Sequence, residues 1–288
     1  MEIANNSLKE NSVNAEIAFF GGSFTAIDRS YMLELLEATV PYIDKFKGIR
    51  ISTRPDCIDE EILILLKKYK VTSIELGAQS MDDDVLCANN RGHSSKDVYT
   101  ASKLIKSYGF SLGLQMMTGL YKSSFDKDIA TAEKFIEIKP DTVRIYPTIV
   151  MKNTALERYL YLGEYDVMDI DLAVELCAQL LKMFYENNIS VIRLGLHHSE
   201  SLDKDRVAGP YHPAFKELCE SKILFDKLIK LLNLSNLKNE YAVRVSPSCV
   251  SKLVGNNKSN IKRLNELGYN IKIIQDKSIE NMELVLDN

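Results

Sequence analysis

Gly21-Gly22-Ser23, at the end of the apolar run 17–20, are the first residues in the chain whose types suit chemistry. A serine on a strand-to-helix turn could be a nucleophile. The G-x-S-x-G elbow, however, needs glycine where Thr25 stands, and an acid and a histidine would have to converge on Ser23. A phosphate loop fails here and again at Gly255-Asn256-Asn257-Lys258-Ser259, since neither carries the G-K-[ST] signature. A tight turn with no ligand is the third reading. His197, His198, Glu200 and His212 offer imidazole and carboxylate for zinc or iron, but adjacent histidines point apart on a continuing strand. The five cysteines, at 57, 87, 177, 219 and 249, never come closer than thirty residues to one another. They form no chelating loop and read as buried thiols of a reducing compartment.

The elements that must position these residues recur regularly. Apolar, β-rich runs at 17–20, 48–53, 73–78, 110–117, 143–149 and 189–196 alternate with segments at 31–46, 60–70, 95–108, 125–138 and 171–187. The latter carry apolar residues at helical spacing. Strands with helical crossovers mean an α/β fold with a parallel sheet, either open and doubly wound or a (β/α) barrel. Both place chemistry at the C-terminal strand ends. There the sequence sets Ser52, Arg54, Gln79, Gln115, Arg144, Tyr146 and Arg193. Burial alone does not need such residues at a rim, although Gln79 and Gln115 could equally be satisfied strand-end amides.

A net charge of −4 over 288 residues gives no general attraction to polyanions, so any contact with nucleic acid must be local. No apolar run approaches a membrane span and the N-terminus lacks a signal-peptide pattern, so no membrane partner is expected and the cytoplasm is the default. Composition shifts near 231–240. Between Tyr241 and Gln275 six Lys or Arg face one acid, Glu266. The order strand, helix, VGNNKSN turn, helix, strand is similar to a minimal KH fold, whose GxxG turn presents backbone N–H groups to RNA phosphates. Gly255, Lys258 and Lys262 are its candidate RNA contacts. Lys258 stands where the second glycine would be, and its side chain would hinder close backbone approach. A solvated charged face is the competing reading.

Six separated motifs carry a wider likeness: EIAFFGGSFTAI, RISTRPD, SIELGAQSMDDDVLCANNRGH, GLQMMTGL, DTVRIYPTIVMKNTALE, and VIRLGLHHSE with AGPYHPAFKELCES. In this order and spacing, over about residues 15 to 225, the chain resembles the radical S-adenosylmethionine (radical SAM) proteins related to elongator protein 3. The resemblance implies a partial (β/α)6 barrel that holds SAM across the strand ends beside a [4Fe-4S] cluster, with RNA, and transfer RNA in the relatives, as substrate. By motif position Gly21, Gly22 and Ser23 would lie along the methionine amino group. Ser52, Arg54, Gln79, Arg91 and Gln115 would line the SAM pocket, with Arg91 suited to the methionine carboxylate. Tyr146 would face the substrate side.

The family's three-cysteine loop follows a strand that precedes the Gly-Gly turn by one βα unit. Residues 1 to 15 can supply only the end of the first helix. The expectation is therefore a barrel lacking its first strand (residues 1–232) and a small basic α+β module (238–288), with no metal site in this chain and the cluster not ligatable by it. GLYK at 119–122 also departs from the G-L-P-G common in relatives, which leaves that loop open. A non-catalytic barrel that binds SAM or RNA, and a serine hydrolase using Ser23, are the alternatives.

Overall fold

The computed structural model describes residues 15–234 and 240–287. They divide into two compact units, the first made of residues up to 148 with 154–166 and 184–193, the second of 149–153, 167–183 and 194 onward.

The first unit is a six-stranded sheet of β1 (Glu16–Phe19), β2 (Gly48–Thr53), β3 (Val71–Gln79), β4 (Ser111–Thr118), β5 (Thr142–Pro147) and β7 (Ser190–Leu194), neighbours in that order. Pairing from β1 to β5 is parallel throughout. Strand order that follows chain order has no reversal, so right-handed crossovers set the helices on one face. This is barrel winding, and it excludes the doubly wound alternative. The helices of this unit are α1 (Arg29–Glu37), α2 (Glu60–Lys68), α3 (Asp83–Ala88), α4 (Ser95–Ser107), α5 (Phe125–Ile138) and α6 (Ala155–Tyr161).

Strand periodicity divides the sheet into two unlike faces. Ile49, Ile51, Ile74, Leu76, Leu112, Leu114, Val143 and Ile145 are almost fully buried and form the apolar face. The other face carries Glu16, Arg50, Ser52, Ser73, Glu75, Gln115, Arg144 and Tyr146. In register, Ser52 lies beside Glu75, Glu75 beside Gly113, and Gln115 beside Arg144. Gly113 makes room for that row, since a Cβ there would sit 2.7 Å from Glu75 Cγ.

The helix expected over 31–46 stops at Glu37, and only a short 3-10 turn, Ile43–Lys45, follows. Thr39-Val40-Pro41 explains the break, because proline removes an N–H and pushes the preceding residue away from helical geometry.

In the second unit β6 (Val150–Met151) pairs antiparallel with β8 (Arg206–Ala208), with α8 (Glu200–Asp205) before β8. α7 (Ile170–Glu186) is shared between the two units. α9 (Phe215–Leu234) shares the second unit with the tail. The tail runs β9 (Glu240–Val245), α10 (Val250–Val254), the turn Asn256–Lys258, α11 (Ser259–Glu266), β10 (Asn270–Gln275) and β11 (Leu284–Asp287). β9 is the central strand, with β10 parallel to it and β11 antiparallel. The division expected at 232 and 238 starts inside α9, and α9 lies in one compact unit with the tail. Asn260 Nδ2 donates to Ser221 Oγ at 2.9 Å, and the Arg263 guanidinium lies 4.8 Å from the Phe225 ring centroid.

Candidate functional site

The Gly-Gly-Ser turn is set against the end of β2 by the residues around it. Phe19 and Phe24 stack at 4.8 Å across the turn, and Thr25 Oγ1 donates to the Cys57 carbonyl at 2.6 Å while touching Thr53 Oγ1 at 2.6 Å. Thr25, which spoils the nucleophile elbow, is thus the residue that anchors the turn. No atom lies within 4 Å of where a Cβ would stand on Gly21 or Gly22, and Gly21 has a φ of +111°. The backbone there is bare and faces open space. The Ser23 hydroxyl has no histidine or carboxylate partner among the described residues, so the hydrolase reading gains no base.

Ser52 and Gln115, from β2 and β4, come together, with Gln115 Nε2 donating to Ser52 Oγ at 3.2 Å and to Glu75 Oε2 at 2.8 Å. Glu75 is 1% exposed and is the centre of the polar face. Arg144 Nε and Nη2 donate to its two oxygens at 2.6 and 3.0 Å, and Arg50 Nη1 donates at 3.2 Å. Arg50 also donates to Glu16 at 2.7 and 2.9 Å, so the network runs from β1 to β5. Burial opposes the charge on Arg144, but the hydrogen bond and proximity of Glu75, with Tyr146 adding to them, hold its pKa above the usual value. Phe20 covers the Arg144 guanidinium at 4.9 Å. Tyr146 stands on the same face of β5, two residues beyond Arg144.

A second cluster forms where β2 and β3 end. Arg54 binds Asp56 through two hydrogen bonds of 2.9 and 2.5 Å, and its Nη2 reaches the Gly92 carbonyl at 3.4 Å. Gly92 takes a φ of +73° there, a conformation that favours glycine. Burial and the charge of Arg54 lower the pKa of Arg91. Asp56 answers Arg54 while no described carboxylate pairs with Arg91, which leaves an excess of positive charge. Arg91 Nε and His93 Nδ1 are both buried without a hydrogen-bond partner. His93 Nε2 must carry the proton, since it lies 3.1 Å from the Ala78 carbonyl, and its Nδ1 is therefore an unused acceptor. Such orphans call for a ligand or ordered water. The capping box of Ser94 and Asp97 fixes the chain just after His93. Gln79, with a φ of +65°, turns its side chain back so that its Nε2 fills the space a Cβ on Gly77 would occupy.

The loop that departs from G-L-P-G is held at Gly119 through both of its backbone polar groups. Gly119 N–H donates to Asp128 Oδ2 at 2.8 Å, and its carbonyl accepts from Tyr165 Oη at 2.6 Å. Tyr121 stacks on Tyr159 at 4.6 Å. Burial pushes the Asp128 carboxyl up to about 6 against the lowering by Ser123 and Gly119. A carboxyl raised in the fold stabilises it most below its unfolded value near 3.8, and that contribution is lost as pH rises through about 6. A rise of that size is equivalent to about 3 kcal/mol. Urea unfolding of the wild type should therefore show this component falling between about pH 4 and pH 6, and Asp128→Asn should flatten the fall. An unchanged slope in the variant would assign the pH dependence to other groups.

Glu75, Arg50 and Glu16 are absent from the residues that the sequence singles out. Their signal is present as charged residues at alternate positions inside apolar strands, a pattern that places them on one face. The second-unit candidates Gly255, Lys258 and Lys262 form a separate group. Gly255 has a φ of +80° and abuts Ser259 and Asn260, while Lys258 takes a left-handed φ of +59°. The basic excess of the tail is smaller than its count suggests. Arg244 is bound to Asp276 and Asp287, and Lys252 lies 2.8 Å from Glu220. Lys258, Lys262 and Lys272 pair with no described carboxylate.

Residues 5–135 match the Radical SAM superfamily and residues 140–224 the Radical_SAM C-terminal domain. The chain belongs to the radical SAM superfamily. Elongator complex protein 3 of Homo sapiens is 30% identical to this radical SAM chain over 190 residues, covering 58% of the chain and 35% of that protein. The Schizosaccharomyces pombe counterpart is 29% identical over 200 residues, covering 62% and 37%. The tRNA uridine(34) acetyltransferase of Dehalococcoides mccartyi is 36% identical over 121 residues, covering 41% and 26%. The chain thus spans well under half the length of these relatives. Among solved structures, the archaeal Methanocaldococcus infernus Elp3 with an N-terminal deletion shares the fold, with a TM-score of 0.64 at 21% identity over 79% of this chain and 57% of that one.

Superfamily membership implies SAM and a [4Fe-4S] cluster in general, and the two fit the described residues differently. The bare Gly21-Gly22 backbone, the excess charge of Arg54 and Arg91, and the orphaned Arg91 Nε and His93 Nδ1 suit a zwitterionic ligand. Among the described residues no three His, Cys, Asp or Glu side chains could hold a metal ion. Cys177, Cys219 and Cys249 are buried, whereas Cys57 is half-buried and Cys87 exposed, so the expectation of buried thiols holds for three of the five. The described residues do not fit a cluster. His198 Nδ1 lies 3.4 Å from Asp203 rather than in a metal set. No helix among the described residues is long and apolar enough to cross a membrane.

Proposed function

We propose that this chain is the SAM-binding barrel of an elongator-3-like radical SAM protein whose substrate is transfer RNA. The observation that carries the reading is the Arg54–Arg91–His93 corner, where two unpaired buried nitrogens and surplus positive charge meet the strand ends. Arg91 would bind the methionine carboxylate, and the Gly21–Ser23 backbone would receive the amino group. Ser52, Gln115 and Gln79 would fix the remainder through hydrogen bonds. Tyr146 would face substrate, on the strand that carries Arg144.

The chemistry of the radical SAM family is hydrogen abstraction by a 5'-deoxyadenosyl radical. The contribution of this chain's own residues is to bind and orient SAM: the Glu75 network holds Gln115 and Arg144 in one arrangement before ligand enters, which reduces the ordering cost of binding. Transfer RNA enters the proposal through the one reported relative named for it, the tRNA uridine(34) acetyltransferase, and through the unpaired lysines of the tail.

Equilibrium dialysis with SAM tests the first half. The second half is tested by tRNA binding as salt is varied. Replacing both Lys258 and Lys262 by glutamate should weaken binding and make its salt dependence shallower by about two phosphate contacts. An unchanged salt slope would remove the tail from the RNA surface.

A further inference from the structure

Beside the GNNK turn lies a cavity of about 230 Å³ lined in part by His212, Leu218, Ser251, Lys252, Asn256 and Asn257. Every lining residue belongs to the second unit. This cavity carries no surplus positive charge. Lys252 is neutralised by Glu220 at 2.8 Å, and Glu217, also in the lining, adds a negative charge. A phosphate would find no free cation inside, so the cavity does not suit an anion. It offers instead a mixture of donors, acceptors and apolar wall. His212 Nδ1 accepts from the Ala214 N–H at 3.1 Å, which leaves Nε2 as the protonated, donating nitrogen. The Asn256 and Asn257 amides make no hydrogen bond among the described residues, and Leu218 and Ala214 supply an apolar side.

The walls are well fixed. Asn260 Nδ2 donates to Ser221 Oγ at 2.9 Å and to the Leu253 carbonyl at 3.1 Å, tying α9 to the turn on either side of the cavity. Gly255 is locked into the turn, because a Cβ would meet Ser259 Oγ at 2.6 Å and the Asn260 nitrogen at 2.9 Å. Lys258, in the same turn, and Lys262, on the helix that follows, are exposed and pair with no described carboxylate. The arrangement is a polar cavity without a free cation inside and with unpaired lysines beside it, which matches one nucleotide unit: an uncharged planar base with donors and acceptors, flanked by phosphates.

The geometry points to this cavity as the receptor for a single unstacked base of a bound RNA strand, with Lys258 and Lys262 holding the adjacent phosphates. The inference rests on the RNA reading above and adds base discrimination to it. Single-stranded RNA is read through splayed bases that enter side-chain pockets while its backbone is held by charge. At about 230 Å³ the cavity is smaller than the pockets of drug-sized ligands, in keeping with one base rather than a longer segment.

The test uses the full chain and short single-stranded RNAs of one mixed sequence, in each of which one base has been removed to leave an abasic ribose. One position should lose about tenfold in affinity when its base is absent. Leu218→Trp, which fills the cavity from its wall, should weaken the intact RNA about tenfold and erase the further loss at that abasic position. Asn257→Asp, at an exposed left-handed residue that aspartate tolerates, should change which base is preferred there, and it tests the cavity without a bulky insertion. Lys262→Glu should weaken every RNA equally. Equal affinity for intact and abasic RNAs, in a protein that still binds RNA, overturns the base pocket and leaves the basic-tail reading standing. Absence of RNA binding at low salt overturns both.

Discussion

Glu75→Ala should lower the unfolding free energy by about 3–5 kcal/mol, the usual cost of breaking a buried ion pair from one side. The carboxylate is almost wholly buried and receives hydrogen bonds from Arg50, Arg144 and Gln115. Its removal leaves two partly buried guanidiniums facing each other without an acid, and a void where Gly113 had made room. Exposed pairs are different. Arg29–Glu61 and Lys70–Asp44, both on the surface, should each contribute well under about 1 kcal/mol. Denaturant unfolding of Glu75→Ala beside Glu61→Ala compares the two cases within one protein. If the two variants lose equal stability, the polar face is not held together through Glu75. Glu75→Gln should fall between, since it retains hydrogen bonding to one arginine but loses the charge.

Much of this architecture is legible in the sequence. The run 48–53 is the observed β2, the helix over 125–138 is the observed α5, and the other main strands are displaced by only a few residues. What escapes has local reasons. The helix over 31–46 is overextended because periodicity does not weigh the proline at 41. α3 and α6, of six and seven residues, are too short to show a period. Glu75 is hidden because a carboxylate inside the run SIELGAQ reads as an interruption of an apolar strand until the register sets Arg50 and Arg144 on either side of it. The partners of Arg244 and Lys252 lie thirty or more residues away. Charge counting along a window therefore overstates the free basic surface of the tail.

Arg91→Ala should abolish most SAM binding, by about tenfold to a hundredfold, because a charge-assisted pair with a carboxylate contributes roughly 1.5–3 kcal/mol. The substitution removes a guanidinium whose Nε has no protein partner, so its effect on folding should be small. Arg54→Ala should do less to binding, since that side chain is already committed to Asp56. The contrast between the two arginines separates a direct contact from a general loss of positive charge. Gln115→Ala should fall with Arg91→Ala in affinity, and it should also loosen Ser52.

The most direct measurement is isothermal titration of the purified chain with SAM, performed in parallel on Arg91→Ala with unfolding curves to show that both proteins are folded. Saturable binding of one SAM per chain, weakened at least about tenfold in the variant, is the expected result. A folded chain that takes up no SAM, or a variant that binds as the wild type does, would contradict the assignment of the strand-end corner as a SAM site.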